Sequence, residues 1–343
     1  MPRADSVGRV VPIADARPAS AGRTRGGSAR RGSAEAPAPG PRVGLVAPSG
    51  CLPDTRLVDR AASVLTGRGW RVSAGDSVFA REQRFAGPDA LRAADLQAFC
   101  TDRAIDVVLS ARGGYGLSRL LDQLDFAAIR ARRPVVVGYS DFTAFHLAYL
   151  AHGGISFAGP GASDFAAPTP DAFTLEQFFA VLGQPSHELA FESEGPRRLR
   201  AAGRLWGGNL AMVCAMAGTR WMPSIRGGIL FLEDVNESAY RIERMLYQLF
   251  HAGILQRQRA ILLGSFDPVP PMSNDEGYGL DSVIAHFRAR LDVPILTGLP
   301  FGHVPRKATL PVGAPAVLTV ARGVARLSFE RYPNLKRYRS AAI

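Results

Sequence analysis

The stretch PVVVGYSDFTAFHLAYL, residues 134–150, decides the fold of this 343-residue chain. It predicts a buried strand, because Val135–Val137 are β-branched and uncharged. Gly138 then permits a tight turn, and Asp141 begins a helix whose apolar residues recur at helical spacing. Those apolar residues are Phe142, Phe145 and Tyr149. The stretch is therefore typical of a strand, turn and helix in an α/β sheet.

Ser140 lies at the corner of this unit, between the carboxyl end of the strand and the amino end of the helix. Open α/β sheets bind their ligands at such corners. A sharp turn there can also present a nucleophilic serine beside a backbone N–H group. The alternative is a serine that only caps the helix, because Ser and Asp are both favoured at helix N-termini.

Strands and helices alternate through the first half of the chain. The predicted strands are Val43–Ala47, Trp70–Val72, Ile105–Ser110 and Val135–Val137, and the predicted helices are Asp54–Gly67, Pro88–Thr101 and Leu117–Gln123. This alternation predicts an α/β fold with a mainly parallel sheet flanked by helices. We expect residues 42–165 to form this N-terminal domain. Residues 1–41 lack hydrophobic periodicity and are predicted to be a disordered basic extension.

The second half mixes strands and helices without strict alternation. Residues 166–200 are rich in proline and are predicted to be an interdomain linker that contains one helix. Residues 201–343 are predicted to form a smaller C-terminal α+β domain. Its predicted strands are Gly228–Leu232 and Ala260–Gly264, with a hairpin at Ala316–Val320 and Ala325–Phe329.

The net charge of +11 is unevenly distributed, because residues 1–42 hold eight arginines against three carboxylates. No run of Lys and Arg is interleaved with aromatic residues, so the charge indicates a solvated basic surface and no nucleic-acid partner. No uncharged apolar run approaches the length of a membrane span, so we expect no membrane partner. The three cysteines are widely spaced, which favours a reducing compartment, and no histidine spacing indicates a metal site.

The glycines of Arg112–Gly116 follow a predicted strand and precede a predicted helix, as phosphate-binding loops do. Their pattern is neither GxGxxG nor a P-loop. Free N–H groups in such a loop can bind a phosphate, or the oxyanion of a reaction intermediate. A plain tight turn is the simplest alternative interpretation.

A serine nucleophile needs a base, and the base needs a group that orients it. His303 is the best candidate for the base, because it follows Gly302 in a predicted loop. The other histidines lie in predicted helices or turns: His146, His152, His187, His251 and His286. Glu233 and Asp234 end a predicted buried strand, where functional carboxylates often lie. The residues alone do not choose between these two carboxylates.

Six motifs resemble those of the L,D-carboxypeptidases, also called muramoyltetrapeptide carboxypeptidases, of the serine peptidase class. The motifs are GLVAPSG at 44–50, RGGYG at 112–116, GYSDFTA at 138–144, LWGGNL at 205–210, ILFLEDVNESAYRIERML at 229–246 and LPFGHVPRKATLPVG at 299–313. The resemblance extends from Val43 to Gly313. Each motif alone is weak, but all six in this order are very specific.

The resemblance implies a catalytic triad. Its nucleophile is Ser140, in the GYSD motif, and its base is His303, in the FGH motif. Its acid is Glu233, the first carboxylate of the LED motif. The order Ser, Glu, His differs from that of chymotrypsin-like and subtilisin-like enzymes, but triads are defined by geometry and not by chain order.

The resemblance also implies an oxyanion hole made by the backbone N–H of Asp141 and by that of Gly113 or Gly114. It implies an α/β domain and a smaller second domain, with the site between them. The implied reaction releases D-alanine from murein tetrapeptide by hydrolysis of an L,D amide bond through an acyl-enzyme, as part of peptidoglycan recycling. The implied enzyme is cytoplasmic and homodimeric, and it needs no cofactor or metal.

Three side chains are candidates for binding the substrate. Arg306, just past the histidine motif, is a candidate partner for the terminal carboxylate of D-alanine, because a guanidinium binds a carboxylate bidentately. Tyr115 and Trp206 are candidate walls of the pocket, and core packing is an equally good interpretation of both.

Other functions remain open at this point. A microcin-immunity-type peptidase would cleave an aminoacyl-nucleotide with the same triad, and it would need an aromatic platform for the base. A non-catalytic protein would use Arg112–Gly116 to bind an anion or a nucleotide. A third alternative makes residues 1–41 a nucleic-acid-binding arm, whose affinity would depend on salt.

Overall fold

In the computed structural model, the described residues are 11–12, 40–270 and 273–336. Their strands form two seven-stranded sheets. In chain order the strands are β1 (Val11–Pro12), β2 (Arg42–Val46), β3 (Arg71–Ala74), β4 (Val107–Ser110), β5 (Val135–Gly138), β6 (Ser156–Ala158), β7 (Ser186–Glu192), β8 (Arg198–Asn209), β9 (Ile229–Glu237), β10 (Ala260–Pro268), β11 (Ile295–Leu296), β12 (Leu310–Val312), β13 (Pro315–Ala321) and β14 (Val324–Glu330). Apart from 11–12 and 40–41, the predicted disordered extension lies outside the described residues.

Nine α-helices occur in the described part of the chain. They are α1 (Arg56–Thr66), α2 (Asp89–Thr101), α3 (Phe126–Arg132), α4 (Thr143–Ala151), α5 (Ala162–Phe165), α6 (Ala172–Gly183), α7 (Leu210–Met216), α8 (Ala239–His251) and α9 (Leu280–Arg290). In α4 all residues from Thr143 to Leu150 are buried, which marks it as a central helix. In α8 only Ile242, Leu246 and Leu249 are buried, as expected for a surface helix with one apolar face.

The first sheet has the order β1-β3-β2-β4-β5-β6-β12. The five strands from β3 to β6 run parallel, and the two edge strands β1 and β12 run antiparallel to their neighbours. Every residue of β4 and β5 is buried, as is usual for parallel strands covered on both faces. The carboxyl ends of β2, β4 and β5 therefore lie side by side at one edge of the sheet. The predicted α/β fold class, with its parallel sheet, is confirmed.

The second sheet has the order β11-β10-β9-β8-β13-β14-β7. Strands β8 to β11 run parallel, whereas β13, β14 and β7 are antiparallel. The long strand β8 serves both parts: residues 198–204 pair with β13, and residues 205–209 pair with β9. The mixed sheet explains why the second half of the sequence shows no strict alternation. Its parallel part carries Glu233, in β9, at the level of Asn209.

The two halves of the chain are joined through several direct contacts. Strand β12, from the second half, pairs with β6 of the first sheet. The hydroxyl of Thr143, in α4, accepts a hydrogen bond from the N–H of Asn209 at 3.0 Å. The predicted linker 166–200 contains α6, β7 and the start of β8. The domain boundaries themselves stay a prediction.

Two predicted helical starts differ in the structure. Ser140–Phe142 is a 3₁₀ turn, with a hydrogen bond from the N–H of Phe142 to the carbonyl oxygen of Tyr139, and α4 begins only at Thr143. Leu117–Gln123 forms two 3₁₀ turns in place of one helix, with hydrogen bonds from residue i+3 to residue i. Both differences lie close to the turn that carries Ser140.

A substitution at Gly208 would test the contact between β8 and α4. Its φ is +141°, and an added Cβ would lie 2.4 Å from the hydroxyl oxygen of Thr143. We expect Gly208→Ala to lower the free energy of unfolding by about 1–3 kcal/mol, because α4 must move to make room. Urea unfolding would measure the loss. Gly279→Ala is the control, since nothing lies within 4 Å of its added Cβ, and equal stability of the two variants would contradict the prediction.

Candidate active site

Ser140 has an uncommon backbone conformation at the end of β5. Its φ is +65°, in the left-handed region that costs a non-glycine residue about 1–2 kcal/mol. Gly138 makes room for the turn, because a Cβ there would lie 2.6 Å from the ring of Phe142. Strained residues of this kind concentrate at functional sites, and a sharp strand-to-helix turn is the geometry that exposes a nucleophilic serine.

The Ser140 hydroxyl lies next to the imidazole of His303. Nε2 of His303 is 2.9 Å from Oγ of Ser140, and Nδ1 of His303 is 2.7 Å from Oε2 of Glu233. A carboxylate can only accept, so Nδ1 carries the proton and donates it to Glu233, and Nε2 accepts from the serine hydroxyl. The structure thus brings Ser140, Glu233 and His303 together in the order that nucleophilic catalysis requires.

Glu233 and His303 differ in how deeply their side chains are buried. The Glu233 carboxylate has no exposed surface, whereas the His303 side chain is 21% exposed. Because water does not screen the buried carboxylate, it interacts strongly with a charged imidazole. The exposed edge of His303 leaves its imidazole accessible to a bound molecule. Glu233 also accepts a hydrogen bond from Nδ2 of Asn209 at 3.3 Å, which fixes its second oxygen.

Asp234, the alternative carboxylate, has a different task. Its Oδ1 accepts from Nδ2 of Asn209 at 2.9 Å, and its Oδ2 accepts from the N–H of Ala211 at 2.9 Å. Ala211 is in the first turn of α7, so Asp234 satisfies a free amide at that helix terminus. Burial raises the pKa of the Asp234 carboxyl, although these hydrogen bonds oppose the rise. Of the two carboxylates that the sequence left open, the one next to His303 is Glu233.

The glycine loop after β4 packs directly against Ser140. A Cβ on Gly113 would lie 2.6 Å from Cβ and 2.8 Å from Oγ of Ser140, so a larger residue cannot occupy this position without displacing the serine. Gly114 has a φ of +105° and packs against Gly50 of the neighbouring turn. The structure therefore places the predicted loop beside Ser140, with Gly113 the nearer of the two glycines.

The carboxylate of Asp141 fastens three strand ends to one another. Its Oδ2 accepts from the hydroxyl of Ser49, after β2, at 2.6 Å and from the N–H of Leu117, after β4, at 2.9 Å. Burial raises the pKa of Asp141, and these hydrogen bonds and the charge of Arg92 oppose the rise. Arg92 is itself fully buried and donates to the carbonyl oxygen of Pro48. Sequence reasoning missed the roles of Ser49 and Arg92.

His146 supports the turn that carries Ser140. It is fully buried; its Nε2 lies 2.9 Å from the carbonyl oxygen of Gly138 and its Nδ1 lies 2.8 Å from Oγ of Ser156. A carbonyl can only accept, so Nε2 carries the proton and Nδ1 accepts from the serine hydroxyl. Burial lowers the pKa of His146 to about 4. The sequence signal for this role was its place on the apolar helix that follows Ser140.

The three predicted substrate-binding side chains lie in different environments. Arg306 is exposed, and its guanidinium carbon lies 3.9 Å from the ring centre of Phe173. Tyr115 is 45% exposed and packs near Phe85. Trp206 is 1% exposed, and its ring N–H donates to Gln258 at 2.9 Å. A side chain so buried offers a substrate almost no surface, so the structure places Trp206 in the core and not on a pocket wall.

Among residues 40–270 and 273–336, no group of three or more His, Cys, Asp or Glu side chains is arranged to hold a metal ion. In the same part of the chain, each helix is too short or too polar to cross a membrane.

Several known proteins are similar to this chain in sequence and in fold. Models of the LD-carboxypeptidase N-terminal and C-terminal domains match residues 43–159 and 202–318. The crystal structure of muramoyltetrapeptide carboxypeptidase from Oxalobacter formigenes is 42% identical, with a TM-score of 0.81, over 85% of this chain and 100% of that chain. The murein tetrapeptide carboxypeptidase of Pseudomonas aeruginosa is 33% identical over 287 residues, which is 81% of this chain and 92% of that protein.

A more distant neighbour shares the fold alone. The microcin C7 self immunity protein, in its wild-type apo state, superposes with a TM-score of 0.77 at 23% identity. The match covers 87% of this chain and 98% of that chain.

His146 gives a testable dependence of stability on pH. Its ordinary pKa of 6.5 applies to the unfolded chain and its pKa of about 4 to the folded protein, so protons bind the unfolded chain first. The stability from neutral His146 is therefore fully present above pH 6.5. It is lost as the pH falls toward 4, by about 3 kcal/mol in total.

We expect His146→Gln to weaken this loss, because a glutamine amide does not titrate. Urea unfolding at pH 4.5 and 7 would measure the difference in unfolding free energy for wild type and variant. His251→Gln, at an exposed position of α8, is the control and should keep the wild-type pH dependence. An identical pH dependence in His146→Gln and wild type would contradict the prediction.

Proposed function

The chain belongs to the LD-carboxypeptidase family of hydrolases, and from this premise we propose that it releases the terminal D-alanine of murein tetrapeptide. The bond cut is the L,D amide bond between the third residue and D-alanine. The observation that supports this proposal best is the hydrogen-bonded series from Ser140 through His303 to Glu233, at 2.9 and 2.7 Å. The names of the relatives from Oxalobacter formigenes and Pseudomonas aeruginosa supply the substrate class.

The first half of the proposed reaction forms an acyl-enzyme. Oγ of Ser140 attacks the carbonyl carbon of the scissile amide, and its proton passes to Nε2 of His303. Glu233 holds the ring in place and stabilises its charged form. His303 then gives the proton to the leaving nitrogen, the carbon–nitrogen bond breaks, and D-alanine departs. The acyl group remains bound to Ser140 as an ester.

The second half of the reaction repeats the same proton transfers with water. His303 takes a proton from a water molecule, which attacks the ester carbon. The ester bond breaks, Ser140 regains its proton, and the shortened peptide is released.

Backbone amides supply the proposed oxyanion hole. The N–H of Asp141 follows the nucleophile directly, and Gly113 packs against the Ser140 side chain. A preorganised N–H donor of this kind contributes on the order of 3 kcal/mol to the transition state. We assign the second donor to the loop of Gly113 and Gly114. The buried carboxylate of Asp141 supports this arrangement, because it holds that loop and the serine turn in fixed relation.

Arg306 is the proposed partner of the D-alanine carboxylate. Its guanidinium stacks on Phe173, which leaves the N–H groups at its edge directed away from the ring and available to a carboxylate. It follows His303 by three residues, on the same loop. Tyr115, which lies in the glycine loop and is 45% exposed, is the proposed wall of the pocket.

The wider biological setting is also a proposal. We propose a cytoplasmic enzyme of peptidoglycan recycling, supported by three free and buried cysteines, Cys51, Cys100 and Cys214. We propose a homodimer on the basis of the family resemblance. The proposed domains are residues 42–165 and 201–343, joined by a linker at 166–200, and the ranges matched by the two family models support them.

The decisive experiment follows a free murein tetrapeptide by mass spectrometry. We expect the purified protein to remove one alanine, and we expect Ser140→Ala to be slower by about 10⁴-fold or more, because the acyl-enzyme cannot form. Ser63→Ala is the control, since its hydroxyl only donates to a carbonyl within the exposed face of α1. It should keep the wild-type rate.

Two outcomes would contradict the proposal. One is retention of alanine release by Ser140→Ala. The other is a wild-type protein that leaves the tetrapeptide intact and cleaves aspartyl sulfamoyl adenosine, the ligand bound in one structure of the microcin C7 self immunity protein. That second outcome would favour the aminoacyl-nucleotide activity.

A further inference from the structure

A buried ammonium lies close behind the catalytic base. Lys307, four residues past His303, is 1% exposed, although it is carried by a loop outside any helix or strand. Its Nζ is paired with the carboxylate of Asp164 in α5. Lysine side chains are rarely buried unless they are paired, and the ion pair with Asp164 accounts for the burial of Lys307. Its partner comes from the half of the chain that carries the nucleophile.

The rest of the loop is attached to α6, in the linker region. The hydroxyl of Thr174, in α6, donates to the carbonyl oxygen of Pro305 at 2.6 Å. The hydroxyl oxygen of Thr174 in turn accepts from the backbone N–H of Lys307 at 2.8 Å. Asp164 is fixed in turn, because its Oδ2 accepts from the N–H of Gly161 at 2.9 Å. The segment from His303 to Lys307 is thus held by Asp164, from the half that carries the nucleophile, and by Thr174, from the linker region.

Tyr139 connects this attachment to the triad. Nζ of Lys307 lies 4.3 Å from the centre of the Tyr139 ring, within the range of a cation–π interaction. The same ring meets the imidazole of His303 edge-on, with centres 5.2 Å apart. Tyr139 also precedes the nucleophile Ser140 directly in the chain. The aromatic ring is therefore packed between the ammonium and the base.

A direct contact between Lys307 and the substrate does not fit this geometry. The ammonium is buried and already paired with the Asp164 carboxylate, so it has almost no surface for a second anion. Its neighbours point to an effect on the position of His303 relative to Ser140.

We propose that Lys307 is a positioning residue: its ion pair with Asp164 holds the loop of His303 on the nucleophile half and keeps Tyr139 packed against the imidazole. The proposal rests on the proposed function in that it takes His303 as the base. It adds residues to which no catalytic part has been given, Lys307, Asp164 and Thr174. It predicts that their loss affects the chemical step more than substrate binding.

The test uses variants that separate stability from positioning. Lys307→Met leaves the half-buried Asp164 carboxylate without its cation, and Asp164→Asn leaves the buried Lys307 ammonium without its anion, so both are expected to be less stable than wild type. The double variant removes both charges and should regain most of that stability. Thr174→Val removes the hydroxyl with no change in charge. Lys336→Met is the control, because Lys336 is the other lysine of the chain and is exposed.

Two rates are measured for each variant. The first is kcat, with KM, for alanine release from murein tetrapeptide. The second is the rate at which a fluorophosphonate labels Ser140, where the oxygen–phosphorus bond forms, the phosphorus–fluorine bond breaks and the serine proton passes to His303. We expect both kcat and the labelling rate to fall about tenfold in Lys307→Met, Asp164→Asn, Thr174→Val and the double variant. KM should stay within about twofold of wild type, and Lys336→Met should be unchanged.

The double variant decides the question. Recovered stability with a labelling rate still about tenfold low supports positioning, whereas recovery of both shows a merely structural ion pair and overturns the proposal. A raised KM with normal kcat and labelling would also overturn it, in favour of substrate binding. If wild type fails to cleave the tetrapeptide, the proposed function is lost. The labelling rates still test the positioning in that case.

Discussion

The hydrogen bond between His303 and Ser140 is the contact on which the proposed chemistry depends. It joins a loop after β11 to a turn after β5, so its 2.9 Å length is set by the relative position of two sheets. Catalytic groups need to be held within about 0.5 Å of their working geometry. The direct links between the halves, such as that from Asn209 to Thr143, are the means by which the fold meets this tolerance.

The Ser140 side of this contact combines a strained backbone with many supporting hydrogen bonds. Ser140 has a left-handed φ, and the buried carboxylate of Asp141 beside it carries a desolvation cost. The surrounding groups offset both costs through hydrogen bonds from Ser49 and Leu117 and through the charge of Arg92. A turn supported in this way keeps its hydroxyl in place without a substrate, which is what preorganised catalysis requires.

Local patterns in the sequence predicted those strands, helices and turns whose formation depends on residues close together in the chain. Three consecutive valines and a glycine located β5 and the turn of Ser140, and alternating strands and helices predicted the parallel sheet. The residues alone favoured His303 as base but did not separate Glu233 from Asp234. That choice depends on which carboxylate of β9 meets the histidine loop, and only the family resemblance supplied it in advance.

The features that the sequence did not predict depend on contacts between distant residues. Lys307 and Asp164 are 143 residues apart, and neither shows its partner in the local pattern. Arg92 looks like a solvated charge in an amphipathic helix, yet it is buried against the strand-end turns. Trp206 was an open candidate for the pocket until the structure showed its ring in the core. The predicted linker region is not a plain connection, because it contains α6 and β7. The bounds of the proposed domains stay a prediction.

The most direct measurement of the central claim compares kcat/KM for murein tetrapeptide in Ser140→Ala, His303→Ala and the double variant. If the two side chains act as one unit, each single variant loses at least about 10⁴-fold and the double variant loses no more than the worse single one. A His303→Ala variant with most of the wild-type kcat/KM would contradict the account, as would a double variant whose loss multiplies the two single losses.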